Sequence, residues 1–252
     1  MYFNDVHILI YVAIAVAGFF IGKFVNWCNY RLPEYKPVFS KEIFSKDKKD
    51  YKPNLLLSQI TMFIYILLLY VFGIQKAFLG NLALIKYLIL TPMLLSAFII
   101  DYKLQIIPNR LNMTMFEIGI ILMFLAGILN ANIAIDMFLG MLAGAGIFLL
   151  ITLIGGLIAG KEAMGFGDVK LMGALGIFFG LTNIIAITLM SFLIGAILSI
   201  ILLATKIKKT DEYIPFGPFI VIATFIAMVV PFNTILSTLL FIFSLGMIRI
   251  WK

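Results

Sequence analysis

Apolar runs of about twenty residues, separated by short polar breaks, recur along almost the whole chain. A run of that length crosses a hydrocarbon core as a helix. A membrane β-barrel would show shorter segments of strict alternation instead. The pattern therefore predicts an all-α, polytopic membrane bundle of eight spans, with a ninth possible at the C-terminus. The expected spans are Val6 to Cys28, Leu55 to Ile74, Leu82 to Ile100, Leu111 to Leu129, Ala134 to Ile158, Val169 to Gly180, Ile184 to Leu203 and Phe219 to Val230. A last apolar stretch, Ile235 to Ile250, reads as a ninth span or a surface helix. Residues 1–28 form the first span, 29–54 a short basic segment and 55–252 the main bundle.

Two spans stand out. Val169 to Gly180 covers only roughly 18 Å at 1.5 Å per residue, less than the ~30 Å core. It either begins below the membrane surface or lies where the bilayer thins. The fifth span is rich in small residues, Gly140, Ala143, Gly144, Ala145 and Gly146, which suits close helix packing in lipid. Pro108 stops the third span from continuing. The first apolar segment is long and lacks a small-residue cleavage site, so it reads as a retained span. No internal repeat is evident, which gives an inverted-repeat transporter no support.

Composition narrows the chemistry. Apolar residues make up 63% of the chain and charged ones 12%, with a net charge of +7. With the N-terminus outside, Arg31 through Lys52, Lys103, Arg110, Lys161, Lys206 to Lys209, Arg249 and Lys252 all face the cytoplasm, and only Lys76 and Lys86 do not. The positive charge is thus a topology signal and does not imply nucleic acid. Cys28 is the only cysteine and His7 the only histidine. An internal disulfide, a multi-cysteine zinc site and a His-rich metal site are excluded. Carboxylates, hydroxyls, amides, lysines and backbone remain.

Four acids lie in or beside the spans: Asp101, Glu117, Asp136 and Asp168. A carboxylate there is expensive and so a functional candidate. Asp136 reads as an interfacial residue reached by water, and Glu117 as a structural polar contact. Asp168 follows Gly165-Phe166-Gly167, whose glycines allow a sharp turn and a close approach. It begins an apolar helix, where the dipole favours an anion; the plain alternative is an N-capping Asp. On the topology above, Asp101 and Asp168 share one depth at the cytoplasmic face. Two such neighbours share a proton, and one can take a proton from water while the other gives one.

Gly165-Phe166-Gly167-Asp168-Val169-Lys170-Leu171 resembles the Gly-x-Gly-Asp signature of the intramembrane aspartyl proteases, in particular the type IV prepilin peptidases. Asp101 followed by Ile107-Pro108-Asn109 is similar to that family's first catalytic Asp and its Ile-Pro-Asp or Ile-Pro-Asn. Gly22-Lys23-Phe24-Val25-Asn26-Trp27-Cys28-Asn29-Tyr30-Arg31-Leu32-Pro33 resembles its N-terminal motif, and Ile214-Pro215-Phe216-Gly217-Pro218 its last loop motif. The resemblance implies catalytic roles for Asp101 and Asp168, and a site-shaping loop of Gly165, Gly167, Lys170, Pro108 and Asn109. Lys170 either orients the Asp168 loop or meets lipid headgroups, the second being favoured. The implied substrates are prepilin-like, membrane-inserted proteins with a short basic leader ending in Gly, cut at the cytoplasmic face of a bacterial or archaeal cell membrane. The peptidase needs no cofactor and no metal. A second activity, N-methylation of the new N-terminus with S-adenosylmethionine, would fall to Asn26 and Arg31, which also read as leader contacts. Family members often carry two Cys-x-x-Cys pairs in a larger first cytoplasmic domain. Here they are absent, so no structural zinc is expected and the methylation is placed in doubt. A proton-coupled transporter using Asp101, Glu117 and Asp168 as a relay is the alternative. Preflagellin peptidases are a nearer rival, but usually lack the first two spans and the Arg-Leu-Pro segment.

Overall fold

The computed structural model describes residues 2–4, 6–40, 54–76, 78–160, 164–206 and 214–243. Much of the basic segment 29–54, Lys161, Lys208, Lys209 and the end of the last apolar stretch lie outside the described residues. Among the described residues, eight helices follow a short hairpin of two-residue strands, Tyr2–Phe3 and Val6–His7. They are α1 (Ile8–Arg31), α2 (Leu55–Phe72), α3 (Phe78–Leu104), α4 (Asn109–Leu129), α5 (Ala131–Ala159), α6 (Phe166–Ala204), α7 (Gly217–Val229) and α8 (Phe232–Phe243). Among the described residues, six helices, α1 to α6, are long and apolar enough to cross a membrane. The chain is a multi-pass membrane protein built as an all-α bundle.

The helix ends follow local chemistry. Asn54 and Asn130 accept the Leu56 and Asn132 N–H groups at 3.0 Å, satisfying donors that the first turns leave open. Gly160 closes α5 in the left-handed region, at φ 65°. Inside α3, Pro92 has no N–H for the Leu88 carbonyl, and the Tyr65 hydroxyl of α2 donates to that carbonyl at 2.6 Å.

The sixth and seventh expected spans are the two halves of α6, parted by a break at Gly180 (φ 75°, ψ 177°). The break is a reversal. Met172 and Ile184, twelve positions apart, both crowd the same atom position beside Gly144, and Gly176 and Gly180 both crowd Gly140. A straight helix would hold the first pair roughly 18 Å apart. The first half of α6 therefore runs away from Asp168 and the second half returns alongside it. Both halves lie against the small-residue face of α5, where backbone meets backbone at Gly140 and Gly176. Phe148 of α5, Phe192 of returning α6 and Phe216 before α7 then meet with ring centroids 5.0–6.0 Å apart. Asp136 caps the reversal: its Oδ1 accepts the Leu181 N–H at 3.0 Å. It is exposed, as read from the sequence, but also holds the start of the returning half.

The expected eighth span is α7, whose 13 residues cover roughly 20 Å. Among the described residues the sixth and seventh expected spans are thus the two antiparallel halves of α6, the eighth is the short α7, and six helices have the length and apolarity to cross a membrane.

Candidate active site

Asp168 sits in the first turn of α6. The N-cap is Gly165, with ordinary φ, and no side chain caps the turn, so Asp168 is not the N-cap the plain reading expected. Gly167 serves close approach: a Cβ there would lie 3.2 Å from the Ile107 Cβ. A Cβ on Gly165 would meet the Asp168 Oδ2 at an ordinary 3.6 Å.

Asp101 lies one turn before the end of α3. Its Oδ2 accepts the Gly217 N–H at 3.0 Å, at the first residue of α7. The unpaired amides of that helix end, and its dipole, favour a carboxylate there. Pro218 in the same turn has no N–H to leave unpaired.

Both aspartates are 4% exposed, and they lie close enough for their charges to interact. The Asp168 Oδ1 is buried and makes no hydrogen bond among the described residues. Their neighbours along the chain, Tyr102, Ile106 and Phe166, are exposed. Two carboxyl groups that feel each other's charge can divide the roles of proton acceptor and proton donor.

Lys170 of α6 donates to the Asn109 Oδ1, at the start of α4, at 2.8 Å, so its ammonium meets a protein partner and not only the lipid headgroups that the sequence favours. Pro108 caps α4, and its carbonyl accepts the Leu111 and Asn112 N–H groups. The Asn112 side chain, 1% exposed, donates to the Gly167 carbonyl at 3.2 Å.

The remaining residues singled out in the sequence fall elsewhere. Glu117 is exposed on α4 and makes no hydrogen bond or ion pair among the described residues, so it fills no structural polar contact. Asp136 marks the opposite end of the bundle. Asn26 is a clasp: it donates to the Asn54 carbonyl at 2.8 Å and accepts the Asn54 N–H at 3.2 Å. Arg31 donates to the Pro37 carbonyl and to the Ser40 hydroxyl, both at 3.2 Å, and lies over the Trp27 ring. Residues 32–40 are thus folded onto the end of α1, and Arg110 ties them to α4 through the Tyr35 carbonyl at 2.9 Å.

A cavity of about 580 Å³ near Asn26 and Arg31, between α1, α2, α3 and α4, is lined mostly by apolar groups such as Val25, Leu32, Pro92 and Leu111, with Ser96 and Thr114 beside them. No charged side chain lines it among the described residues. Among them there is also no group of three His, Cys, Asp or Glu side chains able to hold a metal.

Two participants were not legible as such. Gly217 stood inside a quoted motif, but its role is a backbone N–H, which no residue type advertises. Asn112 carried no signal beyond being an amide one turn into an apolar span.

The model of the type IV leader peptidase family matches residues 88–200, a stretch holding both aspartates. Over 141 residues, 56% of this chain, the sequence is 32% identical to the prepilin leader peptidase/N-methyltransferase of Aeromonas hydrophila, covering 48% of that protein. The protein of the same name from Legionella pneumophila is 36% identical over 137 residues, 54% of this chain and 46% of its own length. That from Neisseria gonorrhoeae is 30% identical over 139 residues, 55% and 46%. The chain spans about half the length of these curated relatives. No solved structure matches it. The resemblance to the type IV prepilin peptidases holds over the segment that carries Asp101 and Asp168.

Proposed function

We propose that this chain is a membrane-embedded aspartyl endopeptidase that removes the short basic leader of prepilin-like precursors at the cytoplasmic face. The observation that carries the reading is the meeting of Asp101 and Asp168, from α3 and α6, buried together within the family-matched stretch. One carboxylate of the pair takes a proton from water as its oxygen attacks the scissile carbonyl carbon. The other carboxyl donates its proton toward the carbonyl oxygen. The tetrahedral intermediate then collapses, the C–N bond breaks, and the leaving amine takes up a proton from the pair. Gly217 holds Asp101 through one oxygen, and the Lys170–Asn109 bond ties the start of α6, which carries Asp168, to the start of α4. A substrate helix can stay in lipid while its leader lies among the basic loops. The Gly before the cut lets that segment unwind, since a peptide bond inside a helix is closed to attack.

The relatives' shared name includes N-methyltransferase. Asn26 and Arg31 both bond within the chain itself, and those bonds by themselves give no support to a methyl-donor site there. A proton relay through Glu117 finds no support either, as that carboxylate faces outward from α4.

The test is reconstitution of the purified protein in lipid with a prepilin-like peptide. Cleavage after Gly is expected. D101N and D168N, which keep shape and lose the titrating proton, are each expected to abolish it while remaining folded. Near wild-type processing by either variant would sink the assignment. Ion flux without cleavage would favour the transporter.

A further inference from the structure

The first half of α6 ends at buried Gly180, toward the end of the bundle that Asp136 marks. The break there turns the chain away from the line of the last carbonyls of that half, as at any helix end. In a membrane such groups must be met by protein. The Phe178 carbonyl accepts from Lys86 Nζ of α3 at 2.7 Å, and the Phe179 carbonyl from the Asn183 amide at 3.1 Å. The Tyr87 ring of α3 stacks on Phe179, with centroids 5.1 Å apart. Asp136, which holds the Leu181 N–H, also lies within electrostatic reach of Lys86.

Lys86 and Asp101 stand toward the two ends of α3, and Phe178 and Asp168 toward the two ends of the first half of α6. The Lys86–Phe178 bond therefore closes a frame. The aspartate pair meets at one end, and a charged hydrogen bond clamps the same two helices at the far end. A clamp by an ammonium is strong for a hydrogen bond. A half-buried cation within an apolar helix is also costly to keep unless it has a task.

We propose that Lys86 is a positioning residue for the peptidase reaction: its bond to the Phe178 carbonyl fixes how far the Asp168 helix slides and tilts against the Asp101 helix. The inference rests on the aspartyl-peptidase reading. It adds a residue that touches neither water nor substrate and that acts on the chemistry from the opposite end of the bundle.

The test compares K86M, which keeps the apolar stem, K86R, which keeps the cation, and N183A, which frees a carbonyl of the same turn without releasing α3. Steady-state cleavage of the prepilin-like peptide is measured beside the thermal midpoint of each protein. K86M is expected to lower kcat about tenfold or more, as misplacement of reacting groups does, with KM little changed. K86R is expected to recover most of that loss, and N183A to keep nearly full kcat. Geometry is read independently of activity from spin labels on Q105C and F166C in a Cys28→Ser background, on the two loops flanking the pair. Their distance distribution is expected to broaden in K86M and narrow again in K86R. The proposal is overturned if K86M retains wild-type kcat with an unchanged distribution, or if K86M and N183A lose activity alike and only in step with their thermal midpoints. A wild-type protein that leaves the peptide uncut refutes the peptidase reading instead, and the label distances still decide whether the clamp sets the geometry of the pair.

Discussion

Gly217 leaves no room for a side chain. A Cβ there would lie 2.5 Å from the Asp101 Oδ2, the atom that its N–H binds. Alanine must push the carboxylate away and weaken the bond together. G217A is expected to lower kcat by about 10²-fold, the scale of losing one preorganised donor or of a displacement near 1 Å. Cleavage kinetics check this, and an active G217A would show that Asp101 tolerates another pose. Gly167 is read correctly from sequence as a place of close approach, because the need for space is a property of glycine itself. Lys170 is read less well. An exposed lysine beside a membrane has many available partners, and only the folded chain brings the Asn109 amide within 2.8 Å. The pair Asp101 and Asp168 is legible because a carboxylate in an apolar run is costly and rare. The N–H of Gly217 is not, since every residue except proline carries one.

Among the elements, α6 is legible in its break: the apolar pattern gives separate spans ending at Gly180 and starting at Ile184, and consecutive spans run in opposite directions. The first is also visible as a run too brief to cross. Hydropathy does not say, however, that the two halves stay joined as one element against α5. The small residues of α5 are likewise visible as packing residues, but their partners are not. Gly140 faces Gly176, backbone against backbone, and Gly144 faces Met172, whereas nothing lies within 4 Å of the Cβ position of Gly146. Membership of one stripe therefore hides opposite tolerances. G176A forces overlap with the Gly140 carbonyl and is expected to cost about 1–3 kcal/mol, as overpacking does. G146A is expected to be neutral, or slightly stabilising through helix propensity. Thermal unfolding in detergent compares them, and equal midpoints would contradict the packing of α5 on α6.

At the scale of the whole molecule, the charge distribution makes a claim about sidedness. In a Cys28→Ser background, a cysteine at Gln105 is expected to react with an impermeant reagent from the cytoplasm, and one at Ala131 only from outside. Both positions are exposed and lie at opposite ends of the bundle. Outside labelling at Gln105 would remove the aspartate pair from the side on which a leader waits. Order of synthesis bears on the same molecule. The reversal at Gly180 exposes a carbonyl at Phe178 and an N–H at Leu181 whose partners, Lys86 and Asp136, belong to α3 and α5. Both helices precede α6, so a ribosome delivers the two clamps before the bend that needs them. A circular permutant that begins near residue 164 would make that bend first, with nothing in lipid to receive it, and such a chain is expected to be cleared by quality-control proteases during its own biogenesis.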